Sequence, residues 1–251
     1  MFQNIQFRDC VHRDIVGPTT DAVLAAVLGE HCAPGAAPME AGSLFYGVTQ
    51  VLGETEFGKV WAEFQKSNIG RKANPLSFAD FLTAHEHGRA LPALPDLARF
   101  DLAYALAAQP GPMPSVAACC LPEAMVRVHP GMMLRFQPNW RYVGLAWPVH
   151  RLPADALTPD VIRTLSGAEP CGIRLAPTGM GVSVAELAPA DFALQSALRN
   201  GRRLGEAIAA AHAIDPSFDP FSVVAGLVEA GAIMDVVLHP AETLSLQQPI
   251  P

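Results

Sequence analysis

The sequence predicts an α+β fold, with an all-helical N-terminal domain before an α/β domain that carries a small sheet and a winged-helix-like three-helix unit. Half of the 251 residues are apolar and 16% are charged, which is enough to bury a sizeable core. Up to about residue 110 the apolar residues recur at helical spacing, whereas later they form short runs bounded by Pro and Gly. This change predicts domains at 1–112 and 113–251.

Several segments of the N-terminal part carry helix signals. In GETEFGKVWAEFQKS, four apolar residues at i, i+3, i+4 and i+7 form one stripe with charges opposite: Phe57, Val60, Trp61 and Phe64. Ser77 and Asp80 resemble a capping box in front of a Phe- and Leu-rich segment. Pro95 and Asp96 suit the first turn of a further helix. The earlier run DAVLAAVLG (21–29) predicts one more short helix.

The stretch QPGPMPS (109–115) is the predicted linker between the two domains. Its three prolines and one glycine cannot continue a helix. The runs MVRVHP, MMLRF and RYVGLAW follow it and are rich in Val, Leu and aromatic residues. These runs are therefore predicted to be strands.

The final module (172–239) is predicted to contain a hairpin, three helices and a last strand. Two alternating runs, GIRLA and GVSVAEL, are joined by PTGMG, whose glycines can supply the positive φ angles of a hairpin loop. The first helix begins at Pro189 and stops at Gly201, and the second contains LGEAI. The third begins with Asp219 as N-cap and ends at Gly231. The run IMDVVL is the predicted strand.

Charge is distributed unevenly along the chain. The net charge is −7, and residues 154–251 hold five Lys and Arg against eleven Asp and Glu. A domain that binds duplex DNA usually presents a basic surface. The charge balance of the C-terminal part therefore favours a peptide or protein partner over a nucleic acid.

The sequence predicts a cytoplasmic protein. Its N-terminus, MFQNIQFRDC, lacks the apolar segment of a secretory signal, and no run of eighteen apolar residues predicts a membrane span. The cysteines are odd in number and irregularly spaced, which indicates free thiols in a reducing compartment. They are Cys10, Cys32, Cys119, Cys120 and Cys171.

Three segments of the N-terminal part, VLGETEF, FADFL and LPDLARFD, together match the pattern of a known family. The matching residues are Leu52, Gly53, Glu54, Phe57, Phe78, Phe81, Leu82, Leu94, Leu97, Ala98, Arg99, Phe100 and Asp101. In these residues the chain resembles the HvfC/BufC family, whose N-terminal domain carries a DNA-binding label. Further on, VRVHPGMMLRF and YVGLAW resemble its His-Pro strand pair through His129, Pro130 and Trp147. The resemblance spans about residues 43–150, but the usual Val-Tyr-Arg-Asn-Asn stretch before it is missing.

The C-terminal module is similar to the small winged-helix-like domains that recognise peptides in peptide-modifying pathways, of which PqqD is the simplest. This similarity rests on the order of the elements: a hairpin, a helix, a second helix that contains LGEAI, and a third helix that ends in LVEAGAI. HvfC/BufC-like proteins are understood as partners of multinuclear iron oxidases that modify cysteines in ribosomally made peptides. The resemblance therefore implies a non-catalytic accessory protein that holds the precursor peptide and docks on the oxidase.

A peptide could be held by strand addition at the edge of the predicted sheet. An exposed edge offers unpaired N–H and C=O groups with which an extended peptide can pair. The predicted edge is the second hairpin strand, and the third helix is predicted to form the other wall. The candidate peptide-binding residues are Val182, Val184, Glu186, Val223 and Leu227.

DNA binding is the alternative function. Arg199, Arg202 and Arg203 form a basic cluster in the acidic C-terminal part. At the start of a recognition helix such a cluster could contact phosphates. Alternatively, the cluster lies in a solvated turn between two helices, where its positive charge is favourable near the C-terminus of the preceding helix.

No pattern predicts an enzyme, a metal site or a cofactor. His85 and His87 flank Glu86, but histidines at i and i+2 do not share a helix face, which favours a solvated helix end. The vicinal cysteines at 119–120 lack a CxxC pattern or a nearby histidine. His129 is either a partner contact or a strand-end residue. Neither a phosphate-binding loop nor a GxSxG motif is present.

Overall fold

The computed structural model describes residues 38–67, 75–108, 130–165 and 167–237. It confirms the predicted α+β class, with helices in the first half and strands later. The described helices are α1 Pro38–Leu44, α2 Tyr46–Leu52, α3 Glu54–Ser67, α4 Phe78–Ala84, α5 Glu86–Ala90, α6 Leu94–Ala107, α7 Pro159–Arg163, α8 Pro189–Arg199, α9 Leu204–His212 and α10 Pro220–Glu229. The described strands are β1 Met133–Phe136, β2 Arg141–Leu145, β3 Cys171–Thr178, β4 Gly181–Leu187 and β5 Ile233–Val237.

The chain divides into two compact units that interleave along the sequence. Of the described residues, the helical–hairpin unit contains 38–67, 75–108, 143–165 and 167–186. The three-helix unit contains 130–142 and 187–237. The sequence predicted sequential domains, with the hairpin and the last three helices in one module. In the structure the hairpin belongs to the unit of α1–α6, and α8–α10 belong to the other unit.

An aromatic cluster forms the centre of the helical–hairpin unit. The predicted stripe of α3 is confirmed, since all four of its residues are at most 1% exposed. The ring of Phe78 lies 4.7 Å from that of Phe45 and 5.2 Å from those of Trp61 and Phe64, in tilted or edge-on arrangements. Such pairs add to the large hydrophobic gain of burying each ring. Aromatic packing therefore joins α3 to α4 and to Phe45, the residue between α1 and α2.

The start of α4 differs in detail from the predicted capping box. Ser77 occupies the N-cap position, but it ends a 3₁₀ turn (Pro75–Ser77) and has helical φ and ψ angles of −90° and −2°. A capping residue normally has extended backbone, which aims its side-chain oxygen at the first free N–H groups. Ser77 accordingly makes no capping hydrogen bond. Helix α6 begins as predicted, with Pro95 in its first turn.

The three-stranded sheet has the order β2-β3-β4. All of it lies in the helical–hairpin unit except the first two residues of β2 and the last residue of β4. Only Gly179 and Met180 join β3 to β4, and so short a connection makes the two strands antiparallel. Gly181 has a φ of +139°, which explains a glycine at the start of β4. The hairpin predicted from PTGMG is thus present.

The three-helix unit contains its own two-stranded sheet. Strands β1 and β5 are antiparallel, with Arg135 opposite Asp235. Helix α8 ends at Gly201, where φ is +76° as the predicted helix stop requires. Asp219 accepts hydrogen bonds from the first N–H groups of α10 and confirms the predicted cap. Leucines of α8, α9 and α10 fill the core: Leu194, Leu198, Leu204 and Leu227.

Some predictions concern parts of the chain outside the described residues. These are the helix at 21–29, the linker at 109–115, His129 and the cysteines other than Cys171. Within the described ranges, no helix combines the length and the apolar character that crossing a membrane would require.

Candidate functional site

Strand β4 is an edge strand of its sheet. In the order β2-β3-β4 only β3 pairs with it, and no described strand lies on its other side. Successive residues of a strand direct their N–H groups to opposite sides. About half of the backbone groups of β4 therefore point away from β3, as the predicted peptide edge requires.

The side chains of β4 divide between the core and the surface. Val182 is partly buried and packs against the core of the helical–hairpin unit. Val184 is 36% exposed, and Met180 in the turn before the strand is fully exposed. Two exposed apolar side chains therefore lie on the edge strand or beside it. They are available for contact with another chain.

Glu186 is tied to its own unit. Its carboxylate accepts hydrogen bonds from Arg151 at 2.9 Å and lies 3.2 Å from Nε2 of His150. Arg151 also pairs with Glu169 at 3.1 Å. The hydrogen bond from Arg151, followed by that from His150, lowers the pKa of Glu186. This predicted site residue therefore anchors β4 to the turn Val149–Arg151.

The helix wall of the predicted site lies in the three-helix unit. Val223 is half-buried, whereas Leu227 is only 2% exposed and belongs to the core of that unit. The spacing of apolar residues on α10 indicated an apolar face but not what covers it. The structure thus assigns Leu227 to packing, and the strand residues belong to the other unit.

The arginine cluster does not act as one surface. The Nε of Arg199 donates to the carbonyl oxygen of Trp140 at 3.1 Å, so this side chain serves the fold of the three-helix unit. Arg202 is 69% exposed and lies 3.7 Å from Glu206. Arg203 occupies the N-cap position of α9 and is partly buried. Arg202 is therefore the most exposed of the three and the best remaining candidate for a phosphate contact.

Arg199 also affects a second arginine of the three-helix unit. Burial and, to a smaller extent, the positive charge of Arg199 lower the pKa of Arg141 to about 10. Arg141 still remains protonated at neutral pH. The two guanidinium groups place positive charge inside the unit rather than on an exposed binding face.

His85 and His87 both pair with carboxylates of α3. Nε2 of His85 lies 3.1 Å from Glu63, and Nε2 of His87 lies 3.0 Å from Glu56. Nδ1 of His85 accepts the backbone N–H of His87 and caps α5. Both rings therefore connect helices. Over the described residues, no group of three or more His, Cys, Asp or Glu side chains is placed to hold a metal ion.

A small open pocket lies beside the turn between α5 and α6. Its volume is about 140 Å³, and its lining includes Leu91, Trp147, Ile162 and Arg163. Sites for cofactors and small molecules usually measure about 300–1,000 Å³. This pocket has room for a single side chain of a partner.

Sequence reasoning did not single out His150 or Arg151, and it predicted only a free thiol at Cys171. The first two precede a proline-rich break, and Glu186, which both contact, follows His150 by 36 residues. No periodicity or spacing links residues so far apart. Sγ of Cys171 also lies near His150, and only the folding of β3 and β4 against the Val149–Arg151 turn brings these residues together.

Family models and curated proteins were compared with the chain. No protein-family model matches the chain, and no curated protein matches it significantly. The HvfC/BufC resemblance therefore remains a prediction that rests on the residues quoted for it.

Proposed function

We propose that this chain is a non-catalytic accessory protein that binds a ribosomally made precursor peptide by strand addition along β4. The observation that carries the proposal is the position of β4 at the edge of its sheet. A peptide paired there would extend the sheet by one strand, and its alternate side chains would supply specificity. In this function the chain presents the peptide to a partner multinuclear iron oxidase, as the HvfC/BufC resemblance implies. The cysteine pattern and the lack of targeting signals favour the cytoplasm as the location.

The composition of β4 supports this use of its edge. Proteins usually protect an exposed edge with proline, lysine or a bulge. The sequence GVSVAEL contains none of these residues, and its one charged side chain, Glu186, is paired with Arg151. In the other sheet, by contrast, Arg135 of β1 faces Asp235 of β5 at 3.8 Å, so both strands carry a charge. Among the described residues no strand pairs with the outer edge of β4, and no residue of β4 would prevent such pairing.

Exposed apolar side chains support a peptide ligand further. Val184 and Met180 are exposed on β4 or next to it. A peptide strand would cover Val184, and each buried apolar Å² contributes about 25 cal/mol. The acidic balance of residues 154–251 favours a neutral or basic peptide over DNA.

The test uses a fluorescently labelled short cysteine-containing peptide, taken from a gene beside that of this chain where the neighbouring genes encode one. Binding is measured by anisotropy for the full-length protein and for Ser183→Pro and Val184→Pro. Successive N–H groups point to opposite sides, so one of these variants removes a donor from the open edge and the other from the β3 ladder. The variant that keeps the wild-type melting temperature is the edge variant. It should bind the peptide at least about tenfold more weakly.

Ser183→Thr is the control, because it keeps the backbone N–H and the hydroxyl, and Ser183 is not one of the candidate peptide-binding residues. It should retain binding within about threefold. The same proteins are titrated with duplex DNA at several salt concentrations, together with Arg202→Ala. Tight, steeply salt-dependent duplex binding that weakens in Arg202→Ala, without peptide binding, would support the DNA-binding alternative instead.

A further inference from the structure

Three side chains that are distant in sequence form a chain of contacts in the helical–hairpin unit. Sγ of Cys171, the first residue of β3, lies 3.9 Å from Nδ1 of His150. Nε2 of the same ring lies 3.2 Å from the carboxylate of Glu186 on β4. The order thiol, imidazole, carboxylate is the arrangement in which a histidine accepts the proton of a nucleophile while a third group orients it.

The contacts of His150 determine where its ring can accept a proton. A carboxylate can only accept hydrogen bonds, so Nε2 must carry a hydrogen and donate it to Glu186. In the neutral ring Nδ1 is then left as an acceptor that faces the thiol of Cys171. The His150 side chain is only 7% exposed, which limits its rotation out of this position.

The charged groups around Cys171 keep its thiol protonated at rest. Burial raises the pKa of Cys171, and the negative charges of Glu186, Glu169 and Asp96 act in the same direction. Arg151 acts in the opposite direction but does not reverse the shift. Because the thiolate is the reactive form, Cys171 needs a proton acceptor when it reacts, and His150 is placed to be that acceptor.

We infer that Cys171 is a thiol–disulfide exchange site, with His150 as its general base and Glu186 as the residue that positions His150. The Sγ proton moves to Nδ1 of His150 while Sγ attacks one sulfur of a disulfide R–S–S–R′. The S–S bond breaks, a Cys171–S–S–R bond forms, and the leaving R′S⁻ takes the proton from His150. Cys171 is oxidised and R′S is reduced, so no further oxidant is needed.

The surroundings favour a disulfide over a carbonyl substrate. Acyl transfer develops negative charge on an oxygen, which requires hydrogen-bond donors aimed at it. Three carboxylates, Glu186, Glu169 and Asp96, instead act on Cys171 electrostatically. In disulfide exchange the negative charge is carried by sulfur atoms, so no hydrogen-bond donors aimed at an oxyanion are required. The product is a covalent mixed disulfide, so the site captures a thiol partner and does not rest on peptide binding at β4.

The test measures how fast bis(2-hydroxyethyl) disulfide, an uncharged probe, modifies Cys171 of the reduced, full-length protein at pH 7. Trypsin releases Cys171 in the peptide TLSGAEPCGIR, and mass spectrometry gives its rate of modification separately from the other cysteines. His150→Gln should lower this rate by about 10²-fold, the usual contribution of a general base. His212→Gln removes an exposed histidine of the other unit and should leave the rate unchanged.

Two further measurements exclude a merely structural role. The wild-type rate should level off at a lower pH than the His150→Gln rate, which must follow the raised pKa of the thiol alone. At pH 7 folded wild-type Cys171 should also react at least about tenfold faster than Cys171 of the chain unfolded in guanidinium chloride. This comparison uses only the wild-type chain, so its result does not depend on whether a variant folds.

The source of the disulfide is determined with two more probes, oxidised glutathione and a disulfide-linked dimer of a short cysteine peptide. Faster exchange with the first assigns a small thiol partner, and faster exchange with the second assigns a peptide. A wild-type rate no higher than that of the unfolded chain would overturn the inference. A change of less than about twofold in a folded His150→Gln protein would overturn it as well.

Discussion

The carboxylate of Asp96 accepts a hydrogen bond from the backbone N–H of Ala146 at 2.6 Å, across 50 residues of sequence. The same oxygen accepts the N–H of Trp147 at 2.8 Å, and the other oxygen pairs with Arg99 at 2.6 Å. Asp96 is only 2% exposed. One oxygen of this buried carboxylate thus joins α6 to the segment that follows β2, while the other holds Arg99 on the same helix. The first of these contacts joins the sheet to the helices within one unit.

Replacing Asp96 should therefore destabilise the helical–hairpin unit. Asp96→Ala leaves two N–H groups without their acceptor, which should cost about 2–5 kcal/mol in the free energy of unfolding. Asp96→Asn keeps one acceptor oxygen and should cost less, since it loses mainly the ion pair with Arg99. Urea unfolding followed by tryptophan fluorescence measures both. Equal, near-zero losses in the two variants would show that these bonds contribute little.

Gly88 and Gly226 both lie in helices, but replacing each with alanine should change the free energy of unfolding in opposite directions. A Cβ on Gly88 would lie 1.8 Å from the carbonyl oxygen of Leu82, whereas one on Gly226 would meet nothing within 4 Å. Gly88→Ala must move backbone and should cost more than about 4 kcal/mol. Gly226→Ala should stabilise α10 by about 0.5–1 kcal/mol, because alanine has the higher helix propensity. Urea unfolding followed by circular dichroism checks both, and similar effects of the two substitutions would contradict the geometry.

Asp101 should make stability fall as pH rises. Its carboxylate accepts the N–H groups of Val48 and Gly47, at the start of α2, but burial is the larger effect and raises its pKa to about 7. Between about pH 4 and 7 the folded state therefore binds more protons than the unfolded state. Protonation of Asp101 stabilises the fold at the low end of this range, and this contribution is lost towards pH 7 and above.

The difference between wild type and Asp101→Asn isolates this effect, because other titrating groups are common to both proteins. The free energy of unfolding of wild type relative to the variant should fall by up to about 4 kcal/mol between pH 4 and 8. Urea unfolding at each pH provides the values. A difference that stays constant with pH, or that grows as pH rises, would show that the two backbone hydrogen bonds outweigh burial.

Local signals in the sequence predicted local structure well. The stripe of α3, the Asp219 cap and the stop at Gly201 depend on residues within one or two turns. The division into units could not be predicted in this way, because it depends on long-range bonds such as that from Ala146 to Asp96. The same holds for the contacts among His150, Cys171 and Glu186.

Within the predicted DNA-contact cluster, Arg199 is a structural residue and Arg202 is a surface residue. Arg199 donates from Nε to the carbonyl of Trp140 and from its terminal nitrogen to that of Pro138, at 3.1 and 3.5 Å. Both acceptors lie in the segment between β1 and β2, so Arg199 connects α8 to that segment. The distance of 3.7 Å between Arg202 and Glu206 is that of an exposed ion pair, which contributes little.

Arg199→Ala should therefore destabilise the three-helix unit by about 1.5–3 kcal/mol, the contribution of hydrogen bonds from a charged donor. Arg202→Ala should change stability by less than about 0.5 kcal/mol. Hydrogen exchange of the backbone amides in α8, measured by mass spectrometry, reports on this unit separately from the other. Faster exchange in Arg199→Ala alone is the expected result, because only Arg199 holds backbone carbonyls. Equal exchange in both variants would show that the hydrogen bonds of Arg199 contribute little to the stability of α8.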